Sequence, residues 1–427
     1  MLGAFVSAFR APDLRKKLLF TFAIMALFRL GSIVPAPGVD TRAIRGCLSS
    51  ADSSGAFGLM QLISGGALLQ LSVFALGIMP YITSSIIMQL LTVVIPRLER
   101  LREEGESGNQ KITQYTRYVT IALAILQSTV IVSLARTDRL IPGCSGILPD
   151  TSVIRVGTIV VTMTAGTAMI MWLGELITDR GIGNGMSLLI FTSISSRLPA
   201  EGGRILASAG GFVFSVVLLL GLVIVVGVIA IEQSQRRIPV QYAKRMIGRR
   251  QYGGTQTYIP MKVNQAGVIP VIFASSLLYL PQLIGGVTSN PRVTRFIADY
   301  LTRGNHPIYM LIYTGLIIFF AYFYTAITFN TVEISDNMKK YGGFIPGIRP
   351  GRPTAEYLDY ILNRITLPGA LFLSAITVGP FFLLSLTRGN QFPFGGTAVL
   401  IMVGVGLETV KQIESQLMMR NYEGFLR

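Results

Sequence analysis

The sequence predicts an all-α polytopic membrane protein with ten transmembrane helices. Three observations carry that reading. The mean hydropathy is +0.57. Charged residues make up only 14% of the 427 positions, where a soluble domain carries roughly a quarter. Apolar runs of membrane-spanning length also recur along the whole chain, and about 20 such residues are needed to cross a bilayer as a helix.

The runs fall, in order, at 16–34, 72–95, 112–135, 153–176, 184–200, 209–232, 263–285, 307–331, 365–386 and 394–417. The first ends in "SIVPAPG" without a small-residue cleavage site, so it is read as a retained span. The apolar stretch 56–70 is short and broken by glycine. It reads as a half-helix or re-entrant piece, which lipid tolerates only where protein surrounds it. The run "RGIGNG" (180–185) is a tight turn before the fifth span, with Asn184 at the cap.

Ten spans place both termini on one side. With the termini cytoplasmic, roughly two thirds of the 37 lysines and arginines face the cytoplasm, as positive-inside requires. The formal net charge of +16 has two readings. Basic juxtamembrane loops attract anionic lipid. Alternatively, the long basic segments 233–262 and 332–364 are docking arms for a large, partly acidic partner. Cys47 and Cys144 both fall in loops assigned outside. An oxidising compartment permits a disulfide between them, and two free thiols are the alternative.

Absences narrow the chemistry. The chain has one histidine, His306, which excludes a His-based metal cluster and argues against a Ser-His-Asp triad. There is no P-loop, and "RGIGNG" lacks the dinucleotide spacing. The sequence therefore predicts no enzyme, no cofactor, no metal and no DNA partner. Embedded carboxylates are scarce: Glu175 lies near a cytoplasmic end, and Glu408 is the one acid placed at depth in the last span. Ion-coupled pumps keep such groups at the midplane. A secondary transporter of a small solute stays as the alternative class, because discontinuous polar helices also suit it.

On a helical wheel of 72–95, Ile78, Ile82, Ser85, Gln89 and Thr92 share one stripe. It is aliphatic at mid-membrane and polar toward the cytoplasm. Such a face suits the wall of a water-filled funnel narrowing to a hydrophobic constriction, which seals by dewetting. A core face with a few satisfied polar groups is the plainer reading. Pro80 can kink the helix, and Thr83, Ser84 and Ser85 can help satisfy the freed backbone groups; the sequence leaves open whether the helix bends there. The span at 263–285 matches this character, with Pro270 in its first half and Asn264, Val268, Ile272 and Ser275 on one face.

Seven stretches, in order, resemble the SecY family, central subunits of the bacterial protein-conducting channel (translocon). They are "SGGALLQLSVFALGIMPYITSSIIMQLL" (64–91), "EGESGNQKITQYTRY" (104–118), "RGIGNGMSLLIF" (180–191), "RRIPVQYAKR" (236–245), "VNQAGVIPVIFASS" (263–276), "FIPGIRPGRPT" (344–354) and "LMMRNYEGFL" (417–426). The resemblance implies two pseudo-symmetric five-helix halves, 1–205 and 206–427, around a central hourglass pore with a short plug. It implies a gated channel in the cytoplasmic membrane that translocates unfolded preproteins and releases apolar segments laterally into lipid. By the same resemblance the pore ring is Ile78, Ile82, Met186, Ile190, Ile272 and Ile401, with Met186 where the family usually has a branched aliphatic residue. Met is the more flexible residue, so the resemblance leaves the fit of the ring at that position in doubt. The plug is about 56–70, with Phe57, Met60, Ile63, Ser64, Gly65 and Gly66. The lateral gate carries Thr83, Gln127 and Asn264, three groups able to hydrogen-bond in an apolar setting that would hold it shut, each bond at on the order of 1 kcal/mol. Arg249, Arg250 and Arg349 match contacts for the SecA ATPase or the ribosome. Implied partners are SecE, SecG, SecA, the ribosome, preprotein signal sequences and membrane lipid.

Overall fold

In the computed structural model the described residues are 9, 11–40, 64–68, 70–137, 147–149, 152–242, 245–247, 250–252, 256–287, 291–302, 306–387 and 396–425. Cys47 and Cys144 lie outside them. The chain opens with α1 (Pro12–Ile33). A run of turns leads to α2 (Met79–Val94) and α3 (Pro96–Glu103). Next come α4 (Glu106–Arg136), α5 (Val153–Arg180) and α6 (Gly185–Gln233). Four strands follow: β1 (Gln235–Tyr242), β2 (Arg245–Ile247), β3 (Arg250–Tyr252) and β4 (Gln256–Lys262). After them come α7 (Ile269–Val287), α8 (Pro291–Phe296), a π-helical turn (Ile297–Thr302) and α9 (Pro307–Thr328). The chain continues through α10 (Thr331–Lys340), β5 (Gly343–Phe344), α11 (Arg352–Thr387) and α12 (Gly396–Phe425).

Each of the ten predicted spans holds helix. Among the described residues, six helical stretches are long and apolar enough to cross a membrane, and the bent α2–α3 pair makes seven. Two of the others fall short for local reasons. Lys16, Lys17 and Arg29 charge α1, and Arg197, Glu201 and Arg204 charge the first arm of α6. The fifth and sixth predicted spans are one continuous helix in outline, broken at Gly210 (φ 80°, ψ 170°). That backbone conformation is open to glycine and strained for other residues.

The question left open at Pro80 is answered by where the helix begins. Residues 72–78 are turns, α2 starts only at Met79, and Pro80 occupies its first turn. At that position the missing N–H costs no intrahelical bond. Pro270 likewise sits in the first turn of α7. The sharp change of direction is farther on, a 99° bend between α2 and α3, where Ile95 is extended ahead of Pro96.

Tertiary packing explains why 72–78 do not join the helix. Ser72 bridges to Pro35, Val73 N–H donates to the Val34 carbonyl, and the Phe74 ring stacks on Phe28 at 5.8 Å. Phe74 also fills the space over Gly31 that any Cβ would need. Close approach of this kind is what small residues permit in membranes.

The two long basic loops are not separate arms. β1 pairs antiparallel with β4, placing Ile238 opposite Ile259, and β5 adds to the other edge of β1. Both loops thus build one three-stranded sheet. Ile238, Val240 and Met261 from the sheet pack with Met338, Ile345, Leu358 and Leu362 in a core of their own. The alternation of Ile238, Val240 and Tyr242 in β1 is the period-2 signal of a half-buried strand.

Candidate functional site

The largest apolar cluster draws residues from α1, α2, α5, α6, α7, α9, α11 and α12. Five of the six residues assigned to the pore ring are buried within it. Ile78, Ile82, Ile190, Ile272 and Ile401 are between 1% and 8% exposed, and Met186 packs against the same cluster. Local structure sets where each one points. Ile78 caps α2 and Ile82 lies one turn further. Asn184 caps α6 as expected, its Oδ1 accepting from the N–H groups of Met186 and Ser187 at 3.1 and 3.4 Å. The Met186 thioether lies against Gly174, in space that a Cβ there would occupy. A long unbranched side chain fits this slot, so methionine is accommodated here by a glycine on α5.

α7 packs against both α2 and α4. Tyr279 of α7 is buried in a second apolar cluster with Ala124 and Ile131 of α4 and Leu76 before α2. This makes a seam of the kind expected of a gate. Among the described residues, Thr83, Gln127 and Asn264 do not bond to one another. Thr83 Oγ1 donates to the Met79 carbonyl of its own helix at 3.0 Å. Gln127 is 1% exposed and its Oε1 has no hydrogen-bond partner among the described residues. Asn264 Nδ2 donates to Glu232 Oε1 at 2.6 Å and to the Gly267 carbonyl at 3.0 Å. The seam is therefore packed by apolar residues, while Thr83 and Asn264 bond elsewhere.

Of the residues assigned to the plug, Phe57, Met60 and Ile63 lie outside the described residues. Ser64, Gly65 and Gly66 form turns, not helix, and both glycines have positive φ (65° and 85°). Arg29 Nη1 donates to the Gly65 carbonyl at 3.1 Å. An arginine inside an apolar span calls for a partner, and this carbonyl supplies one. Arg29 was not singled out in the sequence.

One other polar feature was missed. Arg117 on α4 grips Glu175 on α5 with two hydrogen bonds of 2.8 Å. This fork-to-fork pairing fixes direction as well as distance. Glu175 is thus a structural clamp between helices. Glu408, the acid the sequence placed at depth, is exposed on α12.

Among the docking arginines, Arg249 lies outside the described residues, and Arg250 opens β3 of a small β2–β3 hairpin. Arg349 is exposed at the tip of the loop after β5. Its backbone carbonyl accepts from Thr354 Oγ1 at 2.9 Å, and Ser335 Oγ donates to the Gly351 carbonyl at 2.6 Å. The loop is pinned at its base and offers the guanidinium to solvent.

Fold and site together define a multi-pass helical membrane protein whose spans converge on one apolar cluster beside a helix seam. The SecY family model matches residues 72–410. Two similar relatives are the protein translocase subunits SecY of Mycobacterium bovis, 59% identical, and of Streptomyces galbus, 61% identical. In each case the whole of both chains is covered. The chain belongs to the SecY family. Solved structures agree on the fold at 18% identity, covering 93% of this chain and 91% of theirs. They include a SecY whose plug domain stabilises the closed channel and maintains a membrane seal (TM-score 0.65), and Sec61 in a canine ribosome-channel complex (0.61).

Proposed function

We infer that this chain is the channel-forming subunit of a protein translocase. It passes unfolded polypeptide across the membrane and releases apolar segments sideways into lipid. The observation that carries this is identity of about 60% to SecY translocase subunits over the full length. A transporter for a small solute is not favoured, since the relatives that match over the full length are translocase subunits.

The pore ring in this reading is Ile78, Ile82, Met186, Ile190, Ile272 and Ile401. Aliphatic side chains closing on one another exclude water and therefore ions. A passing polypeptide parts them without breaking strong bonds, so they reseal behind it. Residues 1–205 and 206–427 act as two halves, and the seam of α7 with α2 and α4 is the lateral gate. An arriving signal sequence, itself an apolar helix, substitutes for the apolar packing of that seam. The gate is then a two-state element biased by substrate. Ser64, Gly65 and Gly66 tether a plug that closes the outer side.

The chain supplies the conduit and no driving energy. SecA ATP hydrolysis or elongation at the ribosome drives movement, with Arg249, Arg250 and Arg349 on the docking face. SecE and SecG complete the complex, and both termini face the cytoplasm of a bacterial cell.

A preprotein arrested in transit tests the ring. A photoreactive side chain at Ile82, Ile272 or Ile401 is expected to cross-link to it, and one at Leu219, exposed on the outer face of α6, is not. Equal labelling at Leu219, or none at the ring while transport proceeds, would overturn the assignment.

A further inference from the structure

The carboxylate of Glu232 is in an unfavourable place. It lies in the last turn of α6, where the helix dipole is negative and a cation is preferred. A group that breaks a local rule needs a compensating gain, and such sites are commonly functional. Here the gain is directional: Asn264 Nδ2 donates to Glu232 Oε1 at 2.6 Å.

Asn264 is 4% exposed and spends the same amide group on the Gly267 carbonyl at 3.0 Å. That second bond closes the turn from which α7 departs. Gly267 has φ +59°. Val263 N–H donates to the Ser234 carbonyl at 3.0 Å. A Cβ on Gly369 would come 2.6 Å from the Val263 carbonyl oxygen, and one on Gly404 2.7 Å from Val268 Cγ1. The turn is seated on α11 and α12, and Glu232 fixes its polar side chain. On α4, across the seam, Gln127 Oε1 is buried and without a partner among the described residues.

We propose that Glu232 is a positioning residue for the lateral gate, which it keeps shut by holding Asn264 and, through it, the turn that launches α7. The proposal rests on the gate reading given above. When Glu232 lets go, the Asn264 amide is free for another partner, and α7 loses the restraint on its first turn.

The test is the import of a preprotein with a defective signal relative to one with an intact signal, in the same vesicles holding the full translocase. The ratio cancels differences in expression or insertion, so a merely structural role does not move it. Glu232→Ala is expected to raise the ratio at least about fivefold, the lower end of typical coupling between sites. Glu232→Gln retains an acceptor without the charge and is expected to raise it less. Asn264→Asp, which sets two carboxylates against each other, is expected to raise it as well. If Glu232→Ala does not accumulate, these last two variants carry the test.

The double variant Glu232→Ala/Asn264→Ala is expected to match the stronger single variant, because both remove one interaction. A multiplicative double effect would contradict the proposal. If Asn264→Ala raises the ratio and the Glu232 variants leave it unchanged, the role of Glu232 is wrong and the gate reading stands. If Asn264→Ala also leaves it unchanged, the gate reading itself fails.

Discussion

Ile82→Asn or Ile401→Asn is expected to make the resting translocase leak ions and to admit preproteins with defective signals. Ile82 is 8% and Ile401 1% exposed, both inside the central apolar cluster. A buried amide without a partner costs about 1–3 kcal/mol. Water entering the constriction relieves that cost, so the balance between dry and wet shifts toward wet. The same range corresponds to roughly a 5- to 150-fold change in an equilibrium constant. Single-channel recording in planar bilayers reads the leak directly. Wild-type leak together with wild-type rejection of defective signals would remove Ile82 and Ile401 from the ring. Volume-conserving Ile82→Leu is expected to change little, because the seal depends on apolar packing more than on branch position.

Arg349→Glu is expected to abolish most motor-driven import while leaving the subunit assembled. The loop that carries it is held by the backbone of Arg349 and the side chains of Thr354 and Ser335. The guanidinium makes no hydrogen bond within the chain among the described residues, so the exchange costs the fold little. A docked partner would lose a planar, bidentate cation suited to carboxylate or phosphate and meet repulsion in its place. Losing one partner of a close charge pair at an interface costs about 2–5 kcal/mol, or at least a thirtyfold loss. Rates of SecA-dependent import at limiting motor concentration measure it. An unchanged rate would show that Arg349 does not dock the motor.

The membrane character of the chain was legible because it depends on composition summed over long windows. The start of α2 was not. Ser72 to Ile78 are as apolar as a helix interior, and only the bridge to Pro35 and the stacked Phe28–Phe74 pair keep them as turns. Both are contacts between segments distant in sequence. Whether the helix bends at Pro80 was not legible for the same reason: a proline in a first turn and one in a helix interior look alike until the helix start is known. The strands in 235–262 were legible in principle, since Ile238, Val240 and Tyr242 alternate, but composition drew attention to charge instead.

The site divides in a similar way. The apolar ring residues gather in one cluster, and their type alone demands burial. The polar gate residues cannot be read so simply, because a hydrogen bond needs a named partner. Asn264 pairs with Glu232, 32 residues away in sequence, and Thr83 turns back on its own helix. Neither choice follows from spacing.

The most direct test of the central claim is import of a preprotein into proteoliposomes that hold this chain with SecE, SecG, SecA and ATP. The preprotein is expected to become protected from external protease, with protection requiring both ATP and this chain. Correct insertion of the complex with no protected preprotein would contradict it.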